Sequence, residues 1–153
     1  MKRLLKLTIA VGLVVALLIP ASMALAVLAI EVDVDIKPVS CPNPLNVGDK
    51  GVLPVAILGS EDFDVTQVDP ATVRLEGVAP LRWALEDVAG PDCSGPDGYL
   101  DLTIKFKAQE IVTVLGDVYD RDVLLLGLIG DLKAEFGGAP IMGSDEVWII
   151  EKG

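Results

Sequence analysis

The chain predicts an all-β fold: an immunoglobulin-like antiparallel β-sandwich of about seven strands with one short helix. Three observations predict it. Apolar residues recur with a period of two through most of the chain, the spacing that puts one face of a strand inside and one in water. Turn formers punctuate these runs at Pro42-Asn43-Pro44, Asp69-Pro70, Gly90-Pro91, Gly95-Pro96 and Gly137-Gly138. The 127 residues after an N-terminal leader are enough for a single core of this kind.

The leader is Met1–Ala26. Lys2, Arg3 and Lys6 open it, an apolar run from Leu7 to Ile19 follows, Pro20 breaks the run, and Ala24-Leu25-Ala26 supplies small residues for cleavage. This is the layout of an export signal. A second reading stays open. The apolar character resumes at Val27-Leu28-Ala29-Ile30, so residues 7–30 are long enough to span a bilayer of about 30 Å and remain as an anchor. Either way the folded part, residues 27–153, is a single domain outside the cytoplasm.

The strands follow in order. Val32, Val34 and Ile36 alternate with Asp33, Asp35 and Lys37, which places the two aspartates on a solvated face. Gly51 to Leu58 is almost wholly apolar, and Pro54 inside it argues for an edge position or a bulge. A short helical turn is expected after Asp62. Val73 and Leu75 alternate with Thr72, Arg74 and Glu76. Leu81, Trp83 and Leu85 share one face of the next strand, so Trp83 is expected in the core. Leu100, Leu102, Ile104 and Phe106 make the clearest alternating strand. Ala108 to Leu115 reads as the helix, with Ile111, Val112 and Leu115 on one side and Gly116 as its stop. Asp122 to Ile129 and Glu146 to Ile150 look like strands with little exposure. Pattern alone leaves the exposure of Trp148 open.

Charge and composition exclude several functions. All 23 acidic residues follow Ala26 against nine basic ones, a net charge of −14. Such a surface repels nucleic acid and anionic membranes and attracts cations. The sequence has no histidine, which excludes Ser-His-Asp and Cys-His catalysis and the usual zinc hydrolase sites. The remaining catalytic option is a pair of carboxylates, drawn from Glu61, Asp62 and Asp64 or from Asp117, Asp120 and Asp122, as in glycosidases. The two cysteines, Cys41 and Cys93, are an even count for an oxidising compartment and are expected to pair.

The stretch from Glu86 to Asp101 reads EDVAGPDCSGPDGYLD. Asp87, Asp92, Asp97 and Asp101 are candidate ligands for calcium, a hard cation that takes oxygen donors on tight loops. Asp97-Gly98-Tyr99-Leu100-Asp101 fits part of a D-G-x-x-D calcium loop, although Cys93, Gly95 and Ile104 stand where further acidic ligands belong. An acidic turn without metal reads the same residues equally simply.

Three segments then resemble a recurrent module of exported bacterial and archaeal proteins: VDVDIKPVSCPNPLN, KGVLPVAILGSEDFDVTQVDPATVRLEG, and EDV followed by GPDGYLDLTIKF. A closing GAPIMGSDEV, Gly138 to Val147, completes the likeness, which spans about Val32 to Ile150. The resemblance implies an extracellular β-sandwich and a calcium-type segment at Asp87, Asp97 and Asp101. It implies no agreed activity. Val39 stands where the module has a glycine, and Cys41 and Cys93 look like a matched pair of substitutions.

These readings converge on a non-catalytic secreted or cell-surface module, calcium-stabilised, that binds an extracellular protein or polysaccharide. The alternative is a structural subunit of a layer or filament, self-associating through the N-terminal segment Val27 to Ile36. A carboxylate-dependent hydrolase is the third class.

Overall fold

The computed structural model of the chain describes residues 28–151. The expected export signal, Met1–Ala26, lies outside them. Two sheets pack face to face as an immunoglobulin-like sandwich. Nine strands build it: β1 (Ile30–Glu31), β2 (Val34–Ile36), β3 (Pro44–Asn46), β4 (Val52–Ile57), β5 (Val68–Leu75), β6 (Arg82–Glu86), β7 (Asp101–Lys107), β8 (Val123–Leu132) and β9 (Pro140–Ile150), with α1 (Ala108–Leu115) between β7 and β8. One sheet runs β1-β9-β8-β5, with β3 also beside β9; the other runs β2-β4-β7-β6. The pairings are antiparallel except that β1 and β3 lie parallel to β9. Among the described residues no helix is long and apolar enough to cross a membrane.

The period-two reading holds best where both sheets overlap. Leu102, Ile104 and Phe106 of β7, Val73 and Leu75 of β5, Leu126 and Leu128 of β8, and Val147 and Ile149 of β9 are all buried in one core. Each such side chain contributes roughly 1.5–3 kcal/mol by leaving water. Helix α1 has the expected bounds: Ile111 joins the core, Val112 and Leu115 pack against it, and Gly116 follows with a positive φ. The expected turn after Asp62 is a 3-10 turn over Val65–Gln67, capped by Asp64.

Several expectations are corrected. Two short strands, β1 and β3, carry too little pattern to read. Asp69-Pro70 is no chain reversal; it lies inside β5, where the register against β8 shifts between Asp69 and Arg74. Strand β4 is internal, between β2 and β7. Pro54 is tolerated there because β2 pairs only with Val55, Ala56 and Ile57. The Pro54 carbonyl already accepts from Lys37 N as the chain leaves β2, so the missing N–H faces the side where that strand has ended.

Trp83 is 46% exposed, not buried, and Leu81 and Leu85 are equally open. These residues do lie on the inward face, since Trp83 pairs with the buried Ile104. The five-stranded sheet does not reach them: β5 packs over β7, and β6 stands one strand further out. Leu100 is exposed too, because β7 starts only at Asp101. The strands expected to show little exposure, β8 and β9, present Val123, Leu125, Ile129, Met142 and Trp148 to water on the outer side of their sheet.

Asp35 reverses in the other direction. It is 9% exposed rather than solvated. After Ile36 the backbone takes positive φ at Lys37 and Val39 and folds back, so that Val39 N–H donates to Asp35 Oδ2 at 3.4 Å. Val39, at φ 63°, occupies a left-handed conformation that suits glycine better than a β-branched residue.

Candidate functional site

At one end of the sandwich the loop after β2, the start of the loop after β4, the loop after β6 and the middle of β9 enclose a cleft of about 590 Å3. The two cysteines meet at its rim: Cys41 and Cys93 form the expected disulfide, with Cα atoms 6.4 Å apart. The bridge ties the loop after β2 to the loop after β6. Six carboxylates line the cleft, namely Asp33, Asp35, Glu61, Asp92, Asp97 and Asp145, and no basic side chain does. Ion pairs among the described residues join Lys107 to Glu110 and Arg121 to Asp120, outside the cleft.

The four expected calcium ligands occupy two different situations. Asp92 and Asp97 line the cleft. Asp87 and Asp101 hold the backbone around it. Asp87 accepts from Asp97 N at 3.0 Å with one oxygen and from Gly98 N at 2.9 Å with the other. Asp97 Oδ1 in turn accepts from Tyr99 N. Asp101 is fully buried. Its Oδ1 accepts from Gly59 N at 3.0 Å, and its Oδ2 from Val88 N at 2.9 Å and Ala89 N at 3.1 Å. One carboxylate thereby pins the loops after β4 and β6 to the start of β7. Among the described residues no three acidic or cysteine side chains converge as a ready metal-ligand group.

The wall opposite that loop holds residues that local sequence reading did not single out. Asp145, on β9, reaches across to the other sheet: its Oδ2 accepts from Ile36 N and from the Asn43 side-chain amide, each at 2.8 Å. Asn43 also donates to the Glu146 carbonyl at 2.9 Å. Its Oδ1 is buried and accepts from nothing. Burial pushes the Asp35 carboxyl above the ordinary carboxylate value; the Val39 N–H opposes this, and the charges of Asp145 and Asp101 add to it. Asn43 and Asp145 are far apart in sequence. No local motif in the sequence joins them.

Three of the other acidic groups considered for catalysis accept backbone amides. Asp64 accepts from Thr66 N and Oγ1, Asp122 from Tyr119 N, and Asp120 from Glu151 N. Hydrogen bonds from Thr66 hold the Asp64 carboxyl below its ordinary value.

No family model and no curated protein matches the chain. A solved structure similar to it is that of AggA, the major subunit of aggregative adherence fimbriae type I from Escherichia coli. The two are 14% identical over 79% of this chain and 94% of that one, with a TM-score of 0.28. So loose a superposition says nothing of shared function.

Proposed function

We propose that this protein is a non-catalytic exported module whose acidic cleft takes up calcium and offers it, with the surrounding carboxylates, to a protein or polysaccharide outside the cell. The observation that carries this reading is the cleft: six acidic residues line one space and no basic residue does. Like charges held together attract a cation, and oxygen donors alone favour a hard one. Asp92 and Asp97 front that space, while Asp87 and Asp101 shape the loop that presents them. The Cys41–Cys93 bridge at the rim supports an oxidising, extracytoplasmic setting. The absence of histidine from the sequence favours binding over turnover.

The test is a thermal melt of the full chain in excess calcium chloride and again in chelator. An ion bound by the folded state alone adds about 2.7 kcal/mol at a hundredfold excess over its Kd. That moves the midpoint of a domain this size by several degrees. Superimposable melts count against the reading.

A second reading, a self-assembling structural subunit, is favoured by β6. Among the described residues this strand ends its sheet and exposes an apolar face. If two copies pair antiparallel about Ala84, Arg82 falls opposite Glu86 of the partner copy and Trp83 opposite its Leu85. The N-terminal segment expected to mediate assembly offers edges too, since β1 and β2 each end a sheet and pair on one side only, with β9 and β4. Analytical ultracentrifugation decides. Arg82→Glu should dissociate the dimer, and Arg82→Glu with Glu86→Arg in one chain should restore it. A wild-type chain that stays monomeric at about 100 μM, well above the micromolar range of ordinary transient interfaces, excludes the pairing.

A further inference from the structure

One buried acceptor in the wall of the cleft has no partner, and a second, largely buried group has only a weak one. Asn43 is 7% exposed, yet its Oδ1 has no donor. The orientation of that amide is settled by its surroundings. Its nitrogen faces a carboxylate oxygen and a carbonyl, and turning the group over would set oxygen against oxygen. The second acceptor is Asp35, with a single long hydrogen bond from Val39 N. Lys37, the nearest cation in sequence, turns away to the Pro44 carbonyl. A buried oxygen without a donor costs about 1–3 kcal/mol, and a buried charge without a counter-charge costs more.

The carboxylate of Asp145 lies beside both groups. Asp145 spends one oxygen on Ile36 N and the Asn43 amide and the other on Glu146 N. A carboxylate has about four lone-pair positions, so it retains room for a further partner. Water would satisfy Asn43 Oδ1 and leave the charges facing each other. A cation satisfies both needs. The donors are carboxylate and carboxamide oxygens with no nitrogen or sulfur among them, which is the chemistry of calcium rather than of zinc or copper.

We propose that Asp35, Asn43 and Asp145 form the seat of a calcium ion, in the wall of the cleft formed by β2, the residue preceding β3, and β9. This inference rests on the cation-binding reading above and narrows it to residues outside the Glu86–Asp101 loop. The seat draws on both sheets, since β2 belongs to one and β9 to the other. A bound ion therefore clasps the sandwich as well as charging the cleft.

The test uses calcium chloride and the full-length chain. Calorimetric titration gives the affinity of wild type, of Asp35→Asn, of Asp145→Asn, and of a chain carrying Asp92→Asn with Asp97→Asn. Asp35→Asn keeps an oxygen for Val39 N, Asp145→Asn keeps one for Ile36 N while losing the acceptor of Glu146 N, and each should bind more than about tenfold more weakly. The loop variant should bind as wild type does. A second measurement needs no mutation. In amide-resolved NMR of the unmutated chain, calcium should move the Asn43 side-chain amide together with the backbone amides of Ile36 and Glu146. If calcium binds and the Asn43 resonance stays in place while Gly98 and Tyr99 move, the inference is overturned and the broader cleft reading stands. If calcium binds nowhere, both fall.

Discussion

Replacing Asp101 by alanine separates a structural carboxylate from a metal ligand. The side chain is fully buried and accepts three backbone N–H groups, from Gly59, Val88 and Ala89. Alanine removes every acceptor and leaves the three donors in place. Those of Gly59 and Ala89 lie in buried surroundings, and that of Val88 is partly buried. At roughly 1–3 kcal/mol for each buried donor left without a partner, less for the half-buried one, the loss is about 3–6 kcal/mol. That is a large part of the 5–15 kcal/mol typical of a domain. Asp101→Asn keeps one oxygen for Val88 and Ala89 and turns an NH2 toward Gly59, so about half of that loss is expected. The assay is urea denaturation in chelator, reading the midpoint at an unchanged slope. A pure calcium ligand would show its loss only with calcium present. Asp101→Ala within about 1 kcal/mol of wild type in chelator would refute the account of three stranded donors. Any substitution that includes Asp101→Ala therefore reports on folding first and on calcium second.

Three further outcomes are expected. Changing both Cys41 and Cys93 to serine opens a link across 52 positions of sequence and should lower stability by up to about 4 kcal/mol, read by denaturant titration against the oxidised chain. Val39→Gly should raise stability by about 0.5–1 kcal/mol, because relief of the left-handed strain at φ 63° exceeds the flexibility that glycine adds to the unfolded chain; an unchanged or lower melting temperature would show the turn to be unstrained. Asp64→Ala should cost about 1 kcal/mol near neutral pH through loss of the cap on Thr66. The Asp64 carboxyl lies below its unfolded value of 3.8. Its contribution is therefore complete above that value and disappears as pH falls through the lower folded value, so wild type and variant should converge in acid melts.

Much of the core was legible because alternation records which residues share a face. Leu102, Ile104 and Phe106 are the clear example, and α1 was legible from its spacing and its terminal glycine. Alternation does not record whether a face is covered. Trp83 obeys the same pattern as Ile104 beside it, and only the reach of the opposite sheet makes one exposed and the other buried. Asp35 fails for the converse reason: its strand reads as half wet, but a turn of the chain closes over it. The cleft was half visible. Asp92 and Asp97 stand in a local acidic run, whereas Asn43 and Asp145 meet across 102 positions of sequence, a distance at which no local motif operates. The backbone-anchoring role of Asp101 was hidden because a D-G-x-x-D spacing is common to metal loops and to loops that anchor backbone amides.

The N-terminal thread visits both layers. It lies beside β9 as β1, crosses to the other sheet as β2, and returns to β9 as β3. The strand that receives it twice, β9, is the last of the described strands in chain order. The first and last parts of the domain thus close on each other, and early strands wait for a late one before their edges are satisfied. Such long-range pairing slows folding. The two sheets therefore close late and together, and the edges that β1 and β3 satisfy stay open until β9 is in place.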